Sequence, residues 1–216
     1  MRWPVFTIAI YTCGTGLNGV TIDRIVATVD QAVITQSDVL RHLRIAAFLN
    51  GEPVDVGAEA KRQATRRLVE QVLLKREMEL NRYPLPTPER IDRALEQIRR
   101  QRYPDGAAFQ KALAEYSITE AELREALALQ LAIMDFVEFR FRPNVTVTPD
   151  EVERYYYDYL AKGAATDASG RLPPLDEIRE EVEEALAQRK VNDLLNEWLQ
   201  EAAQQVRIRY HEEAFQ

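Results

Sequence analysis

The sequence has few of the residues that carry covalent and metal chemistry. Among 216 residues there is one cysteine, Cys13, and there are two histidines, His42 and His211. A lone thiol cannot close an internal disulfide, and neither a CxxC pair nor an HExxH spacing occurs. The two histidines lie far apart in sequence and read as surface or boundary residues. Serine is almost as scarce, at Ser37, Ser117 and Ser169. None of the three stands in GxSxG, so the nucleophile-elbow signal is absent. No GxxxxGK[ST] phosphate cradle is present, and no ATP-driven cycle is indicated. The motifs therefore imply no cofactor and no metal. No apolar run reaches the ~20 residues that a membrane-spanning helix needs, so no integral membrane span is expected.

What is there is ordinary globular composition, 46% hydrophobic and 29% charged. The length suits one or two domains and is enough to bury a core without staples. The formal net charge is −7. A nucleic-acid partner calls for a basic surface that neutralises phosphates, and the overall balance argues against one. The local cluster Lys61, Arg62, Arg66 and Arg67 reads as a solvated helix face, because Glu59 and Glu70 stand beside it.

Residues 1–19 run in the order charged, hydrophobic, small. Arg2 precedes a mostly apolar stretch from Trp3 to about Cys13, and glycines follow. That order is the order of a secretory signal, and export is the expectation. Cleavage after Gly16 or Gly19 satisfies the small-residue rule. A lipid anchor at Cys13 is the lesser option, since Tyr11 and Thr12 fit a lipoprotein signal poorly.

Most of the rest carries helical periodicity. Residues 22–29 and 32–35 are rich in β-branched side chains and flank Asp30-Gln31, which reads as a hairpin. Thr35 with Asp38 forms a capping-box pair opening a helix over 36–49, and Gly51 follows its end. A long helix is expected from Ala58 to Tyr83, stopped by Pro84 and Pro86. Thr87 with Pro88 opens the next, residues 105–117 form a short one, and Thr119 with Glu122 caps another that runs to Phe141. From Leu127 onward this helix is apolar almost all round and must be enclosed by neighbours or by a partner. Thr148 with Pro149 opens a tyrosine-rich helix, and Leu175 to Gln204 forms the last. "VRIRY", residues 206–210, alternates apolar and basic and reads as a strand. Two strands at the start and one at the end can form a sheet only if the two ends of the folded region meet.

The segments "DRIVATVDQAVITQSDV", "LVEQVLLKREMELN", "AFQKALAEYSITEAELREALALQLAIMDFVEFRFRPNVTVTPDEVERYYYDYL" and "LPPLDEIREEVEEALAQRKVNDLLNEWLQEAAQQVRIRY" resemble, in that order, the core of SurA-type periplasmic chaperones. The resemblance covers nearly everything from Val20 to Tyr210. It implies a mainly α fold: a helical core lobe with a small β-sheet made by an N-terminal hairpin and a C-terminal strand. It divides the lobe, 20–210, into an N-terminal segment (20–160), a loop (161–173) and a closing helix and strand (174–210), with 211–216 as a tail. Many members of that family carry parvulin-type prolyl isomerase domains between the two core segments. Here the place is taken by 161–173, too short for a folded domain, since below ~40 residues even small domains need staples.

The resemblance implies a periplasmic holdase for unfolded outer-membrane proteins. Such a protein needs apolar surface to offer a client and a charged exterior to stay soluble. The candidate client-binding residues are Phe136, Phe139, Phe141, Tyr155, Tyr156, Tyr157 and Tyr159, whose rings offer broad contact and, in tyrosine, a polar edge. Tyr155 and Tyr159, four apart, are expected to share a helix face. Two alternatives stand beside this reading. One is a prolyl isomerase; the other is an envelope scaffold that packs against a fixed partner or, as a homodimer, against a second copy.

Overall fold

The computed structural model describes residues 23–161 and 173–215, with the last residues of the helix ending at Ala161 described as backbone only. Residues 1–22, with the expected leader and Cys13, and the connector 162–172 lie outside the described residues. The fold is mainly α. Two strands, β1 (Ile25–Val29) and β2 (Ala32–Thr35), precede seven helices: α1 (Gln36–Asn50), α2 (Ala58–Leu80), α3 (Pro88–Arg102), α4 (Gly106–Glu115), α5 (Glu120–Phe141), α6 (Pro149–Ala161) and α7 (Leu175–Gln204). A third strand, β3 (Ile208–Tyr210), and a short 3-10 turn, Glu212–Phe215, follow.

The sheet has the order β2-β1-β3, with both pairings antiparallel. The two ends of the lobe therefore meet, with β1 in the middle. A register shift between Ile25 and Ala27 marks a bulge, and the neighbours Val26 and Ala27 are both buried. The hairpin turns on Asp30, which takes a left-handed φ of 50°. Asp30 also fastens the far end of the chain: its Oδ1 accepts the Arg207 backbone N–H at 2.9 Å, and Arg76 holds Oδ2 at 2.8 Å.

The helix starts follow the sequence. Thr35 with Asp38, and Thr119 with Glu122, form complete capping boxes. Thr148 and Glu151 exchange the same bonds. Thr87 is an N-cap by position, but its hydroxyl makes no capping bond. Helix α2 ends at Leu80, before the prolines expected to stop it. Asn81 folds back through Nδ2 onto the Glu77 carbonyl at 2.8 Å, Arg82 turns left-handed at φ 51°, and the Tyr83 N–H reaches the Met78 carbonyl at 2.8 Å. The 23-residue helix is therefore about 35 Å long at ~1.5 Å per residue, shorter than its periodicity suggests.

The core is a chain of adjoining clusters. Val26, Val29, Ile34, Val39, Val69 and Leu73 join the sheet to α1 and α2. Phe48, Phe109, Leu113 and Leu123 join α1 to α4 and α5, with Tyr103 stacked on Phe48 at 5.9 Å. Trp198 of α7 touches three of the clusters and stands 6.3 Å from the Phe141 ring. Of the tail expected over 211–216, the described residues 211–215 do not hang free: Ala214 and Phe215 are buried, and the Arg62 guanidinium lies 5.6 Å over the Phe215 ring. Helix α6 packs on the first half of α7 through Val152, Val182 and Leu186, a separate cluster.

Candidate polypeptide-binding surface

The structure divides the sequence candidates. Phe136 (2% exposed) and Phe141 (5%) are core residues, not surface. Phe136 packs with Leu74, Met78 and Ala132, and Phe141 with Val137 and Val191. They lie on the side of α5 that α2 and α7 cover, whereas the expected enclosure of the helix all round is incomplete, since Met134 is 55% exposed. Phe139, on another face, is 69% exposed. Tyr155 and Tyr156 are half-buried against the cluster between α6 and α7. Tyr156 donates its hydroxyl proton to the Pro173 carbonyl at 2.9 Å, bringing the two sides of the connector together. Tyr157 is 64% exposed and meets Tyr156 edge-on at 5.7 Å. The side chain of Tyr159, and with it the expected Tyr155–Tyr159 face, lies outside the described residues.

One aromatic ledge is therefore open, and half of it comes from a residue the sequence reading passed over. Tyr83, in the connection between α2 and α3, lies 5.7 Å from Phe139 and edge-on to buried Phe136 at 5.4 Å. The left-handed turn at Arg82 places it there. Leu85, two residues on, is 75% exposed. Beside the ledge Arg90 grips both oxygens of Asp135, with Nη2 to Oδ1 at 2.7 Å, tying α3 to α5. Burial, and after it the Asp135 carboxylate, pushes the Tyr83 phenol above its usual range, so the ring stays neutral. A tyrosine between a charged residue and a Pro-Leu-Pro stretch was the available signal, but only the fold brings it to Phe139.

The ledge offers contact area rather than reaction chemistry. Two open hollows lie elsewhere: about 630 Å³ on the outer face of α3, lined by Asp92, Arg93, Glu96 and Arg100 among others, and about 540 Å³ on α6, lined by Asp150, Glu153, Arg154 and Tyr157. Among the described residues no group of His, Cys, Asp and Glu could hold a metal ion, and no helix is long and apolar enough to cross a membrane. Gly14, Gly16 and Gly19 stand at GxGxxG spacing. These glycines lie outside the described residues, and the sequence after them is rich in β-branched residues rather than the helix opening that a dinucleotide cradle needs. The basic cluster on α2 is partly neutralised: Arg66 reaches Glu59 at 3.2 Å, and Arg62 reaches Glu212 at 3.4 Å.

No family model matches the chain. The chain is similar to chaperone SurA of Aliivibrio fischeri. The two are 26% identical over 137 residues, which is 62% of this chain. The matched part is 31% of that relative, so the chain spans about a third of its length. The likeness is distant.

Proposed function

We propose that this chain is an exported, chaperone-like protein that holds unfolded outer-membrane or other envelope polypeptides in the periplasm without catalysing a reaction. The observation that carries the reading is the likeness to chaperone SurA over 137 residues. The open ledge of Tyr83 and Phe139 supports it, as a place for apolar or aromatic client side chains. Each Å² of apolar surface that a client buries there contributes about 25 cal/mol. Ordering a disordered client opposes this gain, so binding is weak and reversible, and the client leaves by mass action when it folds elsewhere.

Two features bear on the isomerase alternative. The connector 161–173 is too short for a domain, and α6 and α7 pack directly on each other where an inserted domain would leave the lobe. The scaffold alternative draws on the same exposed Phe139, covered by a fixed partner or a second copy.

The test is light scattering by a urea-unfolded outer-membrane barrel protein diluted into buffer with and without this chain. Suppression of scattering at near-stoichiometric ratio, by a protein that is itself monomeric, supports the holdase. A tight dimer that leaves scattering unchanged supports the scaffold. Acceleration of proline-peptide isomerisation well above buffer supports the enzyme.

A further inference from the structure

We propose that the outer edge of β3 is a strand-addition site for an extended polypeptide segment bearing carboxylates at alternate positions. The proposal rests on the client-holding reading above and specifies how a client segment is held. The Asp30 N–H donates to the Arg207 carbonyl and the His211 N–H to the Val26 carbonyl, each at 2.9 Å. Between these bonds Ala27 faces Tyr210, Thr28 faces Arg209 and Val29 faces Ile208. In an antiparallel ladder, bonded and non-bonded pairs alternate. Arg207, Arg209 and His211 therefore turn their backbone groups toward β1, while Ile208 and Tyr210 turn theirs away from it. β3 is an edge of the sheet, and among the described residues these outward N–H and C=O groups have no partner. Two donors and two acceptors at alternate residues are what an added strand engages.

Charge selects the occupant. Arg209 is exposed on the solvent face of the sheet and makes no ion pair among the described residues. Arg207, exposed as well, has Asp30 nearby, but that carboxylate is already held by Arg76. Pairing β3 antiparallel with the β3 of a second copy would set arginines against arginines, a repulsive cross-strand arrangement. A strand carrying glutamate or aspartate at alternate positions meets the same arginines favourably. Tyr210, 43% exposed on the other face, adds apolar contact at the edge. The opposite edge offers less: Thr28 spends its groups on Arg209, so β2 bonds through the neighbours of Thr28, and between those bonded pairs only Val33 faces outward before α1 begins.

The test uses the full chain and two ten-residue peptides, one alternating threonine and glutamate, the other threonine and lysine. With the glutamate peptide at saturation, amide exchange at Ile208 and Tyr210 is expected to slow about threefold or more, and the lysine peptide is expected to leave it unchanged. Tyr210→Pro removes one outward N–H and no bond to β1, and is expected to weaken the glutamate peptide about fivefold; Tyr210→Val, which keeps the N–H, weakens it less. Arg209→Glu is expected to reverse the preference between peptides, and serves alone if the proline variant does not fold. Unslowed exchange at both amides, equal protection by both peptides, or an unchanged preference in Arg209→Glu would overturn the assignment. Failure of the wild-type chain to suppress barrel aggregation sinks the client-holding reading itself. Suppression that is intact in a folded Tyr210→Pro variant overturns only the edge.

Discussion

Two parts of the molecule pack on the same helix, α7, by different means. The second half of α7 is clamped by bulk: Trp198 reaches three clusters, and Phe136, Phe141 and Val191 fill the space around it. The first half, with α6, is joined through a smaller cluster of Val152, Val182 and Leu186 and then tied down by charge. Lys190 donates to Glu151 at 2.7 Å and to the Thr146 carbonyl at 2.6 Å, and Arg142 Nη1 donates to Glu184 at 2.9 Å. Non-helical φ and ψ at Ile178 mark a kink near the start of α7. Apolar burial is indifferent to pH, whereas ion pairs depend on it. The core half should therefore fail as one unit, and the α6 half should open locally at lower denaturant than the core half, and lower still once pH falls below 4.5.

The largest effect expected is in the core. Phe48→Ala removes the ring that Tyr103, Phe109 and Tyr116 surround, and should cost about 3–5 kcal/mol in denaturant unfolding. Leu186→Ala in the α6 cluster removes about 2–3 kcal/mol, but from local opening. Hydrogen exchange in α6 should accelerate while the global midpoint moves little; a full global shift would erase the distinction between the halves. His42 comes next. Its Nε2 is buried without a hydrogen-bond partner among the described residues, and burial first, then Arg67, lowers its pKa below the ordinary 6.5. The unfolded chain takes up that proton near pH 6.5 and the folded one resists it. The His42 contribution to stability is thus full above pH 6.5 and falls on acidification toward the folded value. Urea midpoints at pH 7 and pH 5 should drop more for wild type than for His42→Leu; equal drops would contradict the burial.

Acid acts on the α6 tie at lower pH. The Lys190 bond, with the Thr148 N–H, holds the Glu151 carboxyl at about 2 against an ordinary 4.5. Its stabilisation is complete above pH 4.5 and is lost as pH falls through the folded value. An NMR titration should place the Glu151 midpoint near 2 in wild type and closer to 4.5 in Lys190→Met. The smallest stability effect belongs to Phe139→Ser, within about 0.5 kcal/mol, because the ring is mostly in water.

The local devices were legible in the sequence. Capping boxes at Thr35 and Thr119, the αL Gly51 and the meeting of the hairpin with "VRIRY" all depend on residues close together or on simple alternation. The candidate surface was legible only in part, because exposure depends on which neighbour covers which face. Periodicity put Phe136, Phe139 and Phe141 on one helix, but not α2 and α7 over the first and last. Tyr83 stayed hidden for the same reason, since its partner lies 56 positions away in sequence. The docking of Phe215 was not legible because the six residues after the strand, 211–216, carry no pattern that shows where they dock.

The most direct measurement places a photo-crosslinking amino acid at Phe139 in the full chain, illuminates living cells, and identifies what is trapped in the envelope fraction. Many different unfolded outer-membrane chains, lost when the crosslinker is moved to buried Leu123, are the expected result. A single partner trapped in fixed stoichiometry, or no envelope protein at all, would contradict the holding of clients.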